Sequence, residues 1–86
     1  MHAAQGSVLQ RLRRLDDAAL HYTRAIDLGL GDVQVWTNLG EVQLERFAFA
    51  EAALALERAI ALDKDGRHPS GARARALVLK VAKQAR

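Results

Sequence analysis

An internal repeat with a period of 34 residues constrains this chain of 86 residues more than any other feature of its sequence. When the sequence is aligned with itself at that offset, identical residues coincide without a gap. The coincidences are Gly6 with Gly40, Val8 with Val42, Ala18-Ala19-Leu20 with Ala52-Ala53-Leu54, Arg24-Ala25-Ile26 with Arg58-Ala59-Ile60, and Leu28 with Leu62. A fixed period of about 20–50 residues is typical of stacked repeats, whose faces form extended binding surfaces. The repeat therefore predicts a binding protein rather than an enzyme.

The composition and the turn residues predict an all-α fold. Half of the residues are apolar and there is a single Pro, so strong helix formers dominate throughout. Gly29-Leu30-Gly31 is expected to end a helix, and Asp32 to cap the next one. Hydrophobic periodicity then predicts five helices: about Ala3 to Arg14, Asp16 to Leu28, Val33 to Arg46, Ala50 to Leu62, and Pro69 or Ser70 to Gln84.

These helices predict one small domain of stacked antiparallel helix hairpins. Residues 1–32 form the first repeat, residues 33–66 the second, and residues 67–86 a basic capping helix. The capping helix should turn an apolar stripe inward, consisting of Ala74, Leu77, Val78, Val81 and Ala85. Gly40 and Ala52 are small where the two helices of the second repeat should cross.

The second repeat carries Trp36, Leu39 and Gly40 in the spacing W-x2-L-G, followed by Ala52, Leu56 and Ala59. This pattern resembles the tetratricopeptide repeat (TPR), a helix–turn–helix unit of about 34 residues. The first repeat matches less fully, with His2 at the position of the Trp. Further departures are Gln43 for the family's Tyr, Leu56 for its Phe, Lys64 for its Pro, and Arg13 and Phe47 where the turn usually has Gly.

The resemblance implies a concave groove lined by the first helix of each pair. Carried over to this chain, the peptide-binding residues are Ser7, Gln10, Arg11, Gln34, Thr37, Asn38, Glu41, Glu45 and Arg75. Asn38 stands where the family often has an Asn that contacts the ligand backbone, and an amide can pair with N–H and C=O groups together. Glu41 and Glu45 would make the groove centre acidic and favour a segment with a basic centre.

Three apolar side chains near the groove need separate interpretation. Phe49 matches the family's aromatic residue at the start of the second helix and is expected in the core. Phe47 occupies the turn, where it either forms an exposed interface or folds back onto its own helix pair. Leu79 is a further interface candidate.

The residues exclude several kinds of chemistry. There is no Cys, and His2, His21 and His68 fit no metal-ligand spacing, so we expect no metal, no cofactor and no catalytic site. The first 14 residues lack the pattern of a signal peptide, and no run approaches the roughly 20 apolar residues of a membrane span. We expect a cytoplasmic protein.

The charges are unevenly placed. Residues 16–65 contain all ten acidic residues, and the charged residues of 67–86 are all basic. A basic helix can bind nucleic acid, but cations near the C-terminal end of a helix also interact favourably with the helix dipole, so nucleic acid is not the expected partner.

The leading hypothesis is a non-enzymatic module for a protein or peptide partner. One alternative is an acidic-surface or nucleic-acid binder acting through residues 67–86. The other is a bacterial type III secretion chaperone of the TPR type, whose end is similar to the stretches from Gly40 to Leu62 and from Gly71 to Lys80. Self-association is also expected, because a short first helix would leave Leu9 and Leu12 poorly covered.

Overall fold

The computed structural model describes the backbone of residues 3–84 and the side chains of residues 13–84. This part of the chain contains four helices and no strand: α1 (Ala3–Asp27), α2 (Val33–Glu45), α3 (Phe49–Leu62) and α4 (Pro69–Gln84). α2 and α3 form a hairpin, α4 packs against both of them, and α1 packs against α2. The predicted all-α fold of packed helices is confirmed.

The predicted break between a first and a second helix near Arg13 is wrong. Ala3–Asp27 is one helix of 25 residues, because Arg13, Arg14 and Leu15 all tolerate the helical conformation and no Gly or Pro interrupts them. Arg46, at the end of α2, forms a 3.0 Å ion pair with Asp16. Since α1 and α2 are antiparallel, the part of α1 before Asp16 continues beyond the α2–α3 turn.

The end of α1 follows the predicted turn chemistry. The Gly29 N–H donates to the Ile26 carbonyl at 2.9 Å and the Leu30 N–H to the Ala25 carbonyl at 2.8 Å, with Gly29 at φ 82°. This is the hydrogen-bond pattern of a helix ended by a left-handed residue, a role that suits Gly. Asp32 then caps α2 by accepting a 2.8 Å hydrogen bond from the Val35 N–H.

The α2–α3 turn uses the same hydrogen bonds with a different residue. The Phe47 N–H donates to the Leu44 carbonyl and the Ala48 N–H to the Gln43 carbonyl, at 3.0 and 2.9 Å. Phe47 therefore takes the place that Gly29 has in the first turn, and its φ is 62°. A left-handed residue with a Cβ costs about 1–2 kcal/mol, so the hairpin forms here because α2 and α3 pack well.

That hairpin closes at Gly40. A Cβ on Gly40 would lie 2.5 Å from side-chain atoms of Leu56 and 3.4 Å from the Ala52 carbonyl oxygen. Leu56 and Ala52 are fully buried. The small residues predicted at this crossing thus allow the close approach of α2 and α3.

The remaining core residues confirm two further predictions. Phe49 is half-buried and packs against the main cluster, as expected. On α4 the inward stripe is formed by buried Ala74 and Val81 with Leu77 and Val78 against the core; Ala85 lies outside the described residues.

Replacing Gly40 by Leu should strongly destabilise the chain. The side chain has no space against Leu56, and overpacking a core costs about 1–3 kcal/mol or more. Thermal unfolding followed by circular dichroism would measure the effect. Ala61→Leu, on the exposed surface of α3, is the matched control and should leave the melting temperature nearly unchanged. Equal melting temperatures for the two variants would contradict the crossing.

Candidate functional site

One face of α2 is only partly covered by the neighbouring side chains that the structure describes. Side chains of α1 pack around Leu39 and Val42, α3 covers Gly40, and α4 meets α2 at Thr37. The partly covered face carries a polar stripe at the helical spacing i, i+4, i+7 and i+11, consisting of Gln34, Asn38, Glu41 and Glu45. Gln34 and Glu45 are exposed, and Asn38 and Glu41 are half-buried. We call these four residues the α2 stripe.

Thr37 does not belong to the groove. Thr37 is only 1% exposed, and its hydroxyl lies 2.8 Å from the Val33 carbonyl and 3.1 Å from the Ser70 carbonyl of α4. A hydroxyl with one proton shares it between these two acceptors. The prediction that Thr37 contacts a ligand is therefore wrong for this structure, because α4 covers this position and Thr37 connects the two helices.

Glu41 lies in the α2 stripe but is paired. Its carboxylate forms an ion pair with Arg73 of α4, and the two side chains are 29% and 56% exposed. Arg73 lies outside the predicted inward stripe of α4, and the sequence offers nothing to match it with Glu41, since that pairing depends on the rotation of α4 about its axis. An ion pair this exposed contributes little to stability, so a ligand can compete for either partner.

Arg75 has a structural position instead of the predicted position in the groove. Its guanidinium lies 3.2 Å from Oδ2 of Asp63, whose side chain is 4% exposed at the end of α3. Oδ1 of Asp63 accepts a 3.2 Å hydrogen bond from the His68 N–H. A Cβ on Gly71 would overlap the Asp63 carboxylate. Arg75 and Asp63 thus hold the α3–α4 connector in place.

Opposing effects act on the pKa of Asp63. Burial of the carboxyl group raises it, whereas the hydrogen bond from the His68 N–H, the charge and hydrogen bond of Arg75, and the Arg67 N–H lower it. The net result is a pKa below its ordinary value. Because the folded pKa is below the unfolded one, ionised Asp63 stabilises the fold above about pH 4, and this contribution is lost as the pH falls through the folded pKa.

Asp63→Asn should lower the stability at neutral pH and reduce its loss in acid. The amide keeps an acceptor for the His68 N–H but loses the charge opposite Arg75. Melting temperatures of the parent and the variant between pH 7 and pH 2 would measure both effects. The difference between the two proteins should shrink below about pH 4. A difference that stays constant across this range would contradict the assigned role.

Asn38, unlike Thr37 and Glu41, makes no side-chain hydrogen bond within the part of the chain whose side chains the structure describes. It lies in the middle of the α2 stripe and is half-buried. An Asn amide offers a carbonyl acceptor and two N–H donors. Among the described residues these groups are unused, and they are of a kind that can pair with the backbone of an extended peptide.

The other predicted residues lie apart from the α2 stripe or beyond the described side chains. Phe47 is 75% exposed and its ring meets Phe49 edge-on at 6.2 Å, so it is exposed and also rests on its own hairpin. Leu79 is 68% exposed on α4. The side chains of Ser7, Gln10 and Arg11 lie outside the described ones. Whether these residues bind a partner stays a prediction.

Comparison with known proteins adds no identification. No family model matches the chain, and neither does any curated protein or solved structure. Within residues 3–84 no three His, Asp or Glu side chains are grouped to hold a metal ion. No helix of this same part is long and apolar enough to cross a membrane.

Thr37→Val should lower the stability of the fold, whereas Asn38→Ala should leave it nearly unchanged. Thr37→Val keeps the shape but removes the link to α4, which should cost about 0.5–1.5 kcal/mol. Asn38→Ala removes an unpartnered amide and should leave the unfolding free energy within about 0.5 kcal/mol. Urea denaturation of both variants would compare them. A larger loss for Asn38→Ala would show that its amide is structural.

Proposed function

We propose that the chain is a non-enzymatic protein-binding module of the TPR type. In this proposal an extended segment of a partner protein lies along the α2 stripe. The observation that carries the proposal is the amide of Asn38, which makes no hydrogen bond within the described residues and lies in the middle of a polar face that they cover only in part. A type III secretion chaperone is a narrower form of the same proposal, in which the segment belongs to a secreted protein.

The length of the α2 stripe suits an extended segment. Gln34 and Glu45 are eleven positions apart on one helix, which corresponds to about 16 Å at 1.5 Å per residue. An extended chain rises by about 3.3 Å per residue. Roughly five ligand residues would therefore span the stripe, with the Asn38 amide bound to backbone groups near their middle.

The charges around the α2 stripe favour a ligand of mixed charge. Glu45 is exposed, whereas Glu41 is paired with Arg73. Lys80 is exposed and lies two turns beyond Arg73 on the same face of α4. A basic ligand residue would find Glu45, and an acidic one would find Arg73 and Lys80. The structure thus modifies the expectation of a purely acidic groove centre.

A display library of extended peptides of about 12 residues provides a probe, because the partner is unidentified. The tightest peptide would be labelled and its affinity measured by fluorescence anisotropy. Asn38→Ala and Glu45→Ala should each weaken binding, with the Asn38 change reaching about tenfold, the value of one hydrogen bond. Glu57→Ala, on the exposed surface of α3, is the matched control for Glu45→Ala and should have no effect.

The alternative surface is the basic side of α4. Two of its cations are engaged, Arg73 with Glu41 and Arg75 with Asp63, which leaves Lys80 and Lys83 as exposed basic residues of that helix. Binding through this surface would weaken steeply with salt. If Lys80→Glu with Lys83→Glu abolishes binding while Asn38→Ala and Glu45→Ala do not change it, the proposed use of the α2 stripe is wrong.

A further inference from the structure

Equivalent positions of the two repeats are buried to different extents. In the second repeat Ala52, Leu56 and Ala59 of α3 are all 0% exposed. Their counterparts 34 residues earlier are Ala18, Tyr22 and Ala25 of α1, and each is only half-buried. Together with Leu15 on the same side of the helix, also half-buried, they form an apolar strip that we call the α1 face. Tyr22 also packs against the cluster of Ala19, Leu39 and Ala55, so the α1 face has only part of the cover that the matching positions of α3 have.

The second repeat shows what kind of segment covers such a face. α2 lies against Ala52 and Leu56 of α3, and Gly40 allows the close approach. Residues 3–14 correspond to residues 37–48, which are most of α2 and its turn to α3, with Gly6 at the position of Gly40 and Val8 at that of Val42. The chain therefore contains a second segment of the kind that covers such a face.

Within one copy of the chain, residues 3–14 cannot reach the α1 face. Residues 3–14 and the α1 face belong to one continuous helix, and a straight helix cannot pack against itself. The Arg46–Asp16 ion pair shows that the earlier residues lead away past the α2–α3 turn. We propose that two copies of the chain form a dimer by exchange, in which residues 3–14 of each copy cover the α1 face of the other.

The hinge of this exchange is at Arg13. Its counterpart in the second repeat is Phe47, which turns the chain with a left-handed backbone. A left-handed Arg13 would cost about 1–2 kcal/mol, whereas the helical Arg13 of the structure avoids this cost. The exchanged dimer keeps the helical hinge and still covers both α1 faces.

The exchange would also extend the α2 stripe. By the repeat, residues 3–14 of the second copy would lie beside α2, where they would bring Ser7 and Arg11, the counterparts of Glu41 and Glu45, to the same side. The dimer is inferred from the difference in burial between the two repeats, and this inference does not depend on peptide binding. A dimer without peptide binding would overturn only the proposed function, and a monomer that binds peptide would overturn only the exchange.

Light scattering after size-exclusion chromatography tests the oligomeric state. The 86-residue chain should have twice the mass of one copy over a dilution series. Arg13→Gly with Arg14→Ser favours a turn at the hinge, because Gly accepts the left-handed backbone and Ser keeps the N–H that Ala48 uses in the second repeat. Residues 3–14 should then fold back within one copy, and the protein should become a monomer with nearly unchanged helicity. Arg13→Ala with Arg14→Ala removes the same two charges, keeps the helix and should remain a dimer. A monomeric parent chain, or a dimer that persists in the Gly–Ser variant, would overturn the proposal.

Disulfide formation tests the contact itself, since the chain has no Cys of its own. Gly6→Cys chains mixed with Tyr22→Cys chains should form a covalent pair under mild oxidation, because these positions correspond to Gly40 and Leu56. Arg11→Cys mixed with Tyr22→Cys is the matched control, since the counterpart of Arg11 is Glu45, which is exposed. Equal cross-linking in both mixtures would contradict the predicted register.

Discussion

The close contact between α2 and α3 at Gly40 is the interaction on which the rest of this structure depends. Leu56 occupies the space that any side chain at residue 40 would take, so the backbone of α2 approaches α3 directly. This approach buries Ala52, Leu56 and Ala59 completely. It also offsets the left-handed backbone of Phe47 in the connecting turn. α1 and α4 then pack against a hairpin whose geometry is already set.

The position of α4 depends on a small polar cluster at the other end of α3. Asp63 accepts from the His68 N–H and pairs with Arg75, and Gly71 leaves room for its carboxylate. The hydroxyl of Thr37 adds a contact between α4 and α2. Thr37 and Arg75, two side chains expected to bind a ligand, thus hold helices together instead. Of the predicted groove residues with described side chains, the α2 stripe with Asn38 in its middle is the set on which the proposed binding depends.

The two repeats show how one sequence pattern leads to different structures. α2 and α3 are separated by a turn at Phe47, whereas the equivalent residues around Arg13 continue as a helix. Neither position has a Gly, so local preference does not separate them. The difference is the contact energy available on folding back, which in the second repeat includes the fully buried faces of α2 and α3. Exchange between two copies would recover the same contacts for the first repeat.

Periodicity and turn chemistry were enough to predict the all-α fold, the end of α1 at Gly29, the Asp32 cap and the crossing at Gly40, because each depends on neighbours close in sequence or on side-chain size. The open position of Asn38 also follows from its place on α2. Three other features do not follow from the sequence: the burial of Thr37, the pairing of Glu41 with Arg73, and the use of Arg75 to hold Asp63. Each depends on how α4 is rotated and how far it is shifted along α2 and α3, and long-range contacts set both. The continuity of α1 likewise depends on tertiary contacts, because it is decided by what the first half of that helix can pack against.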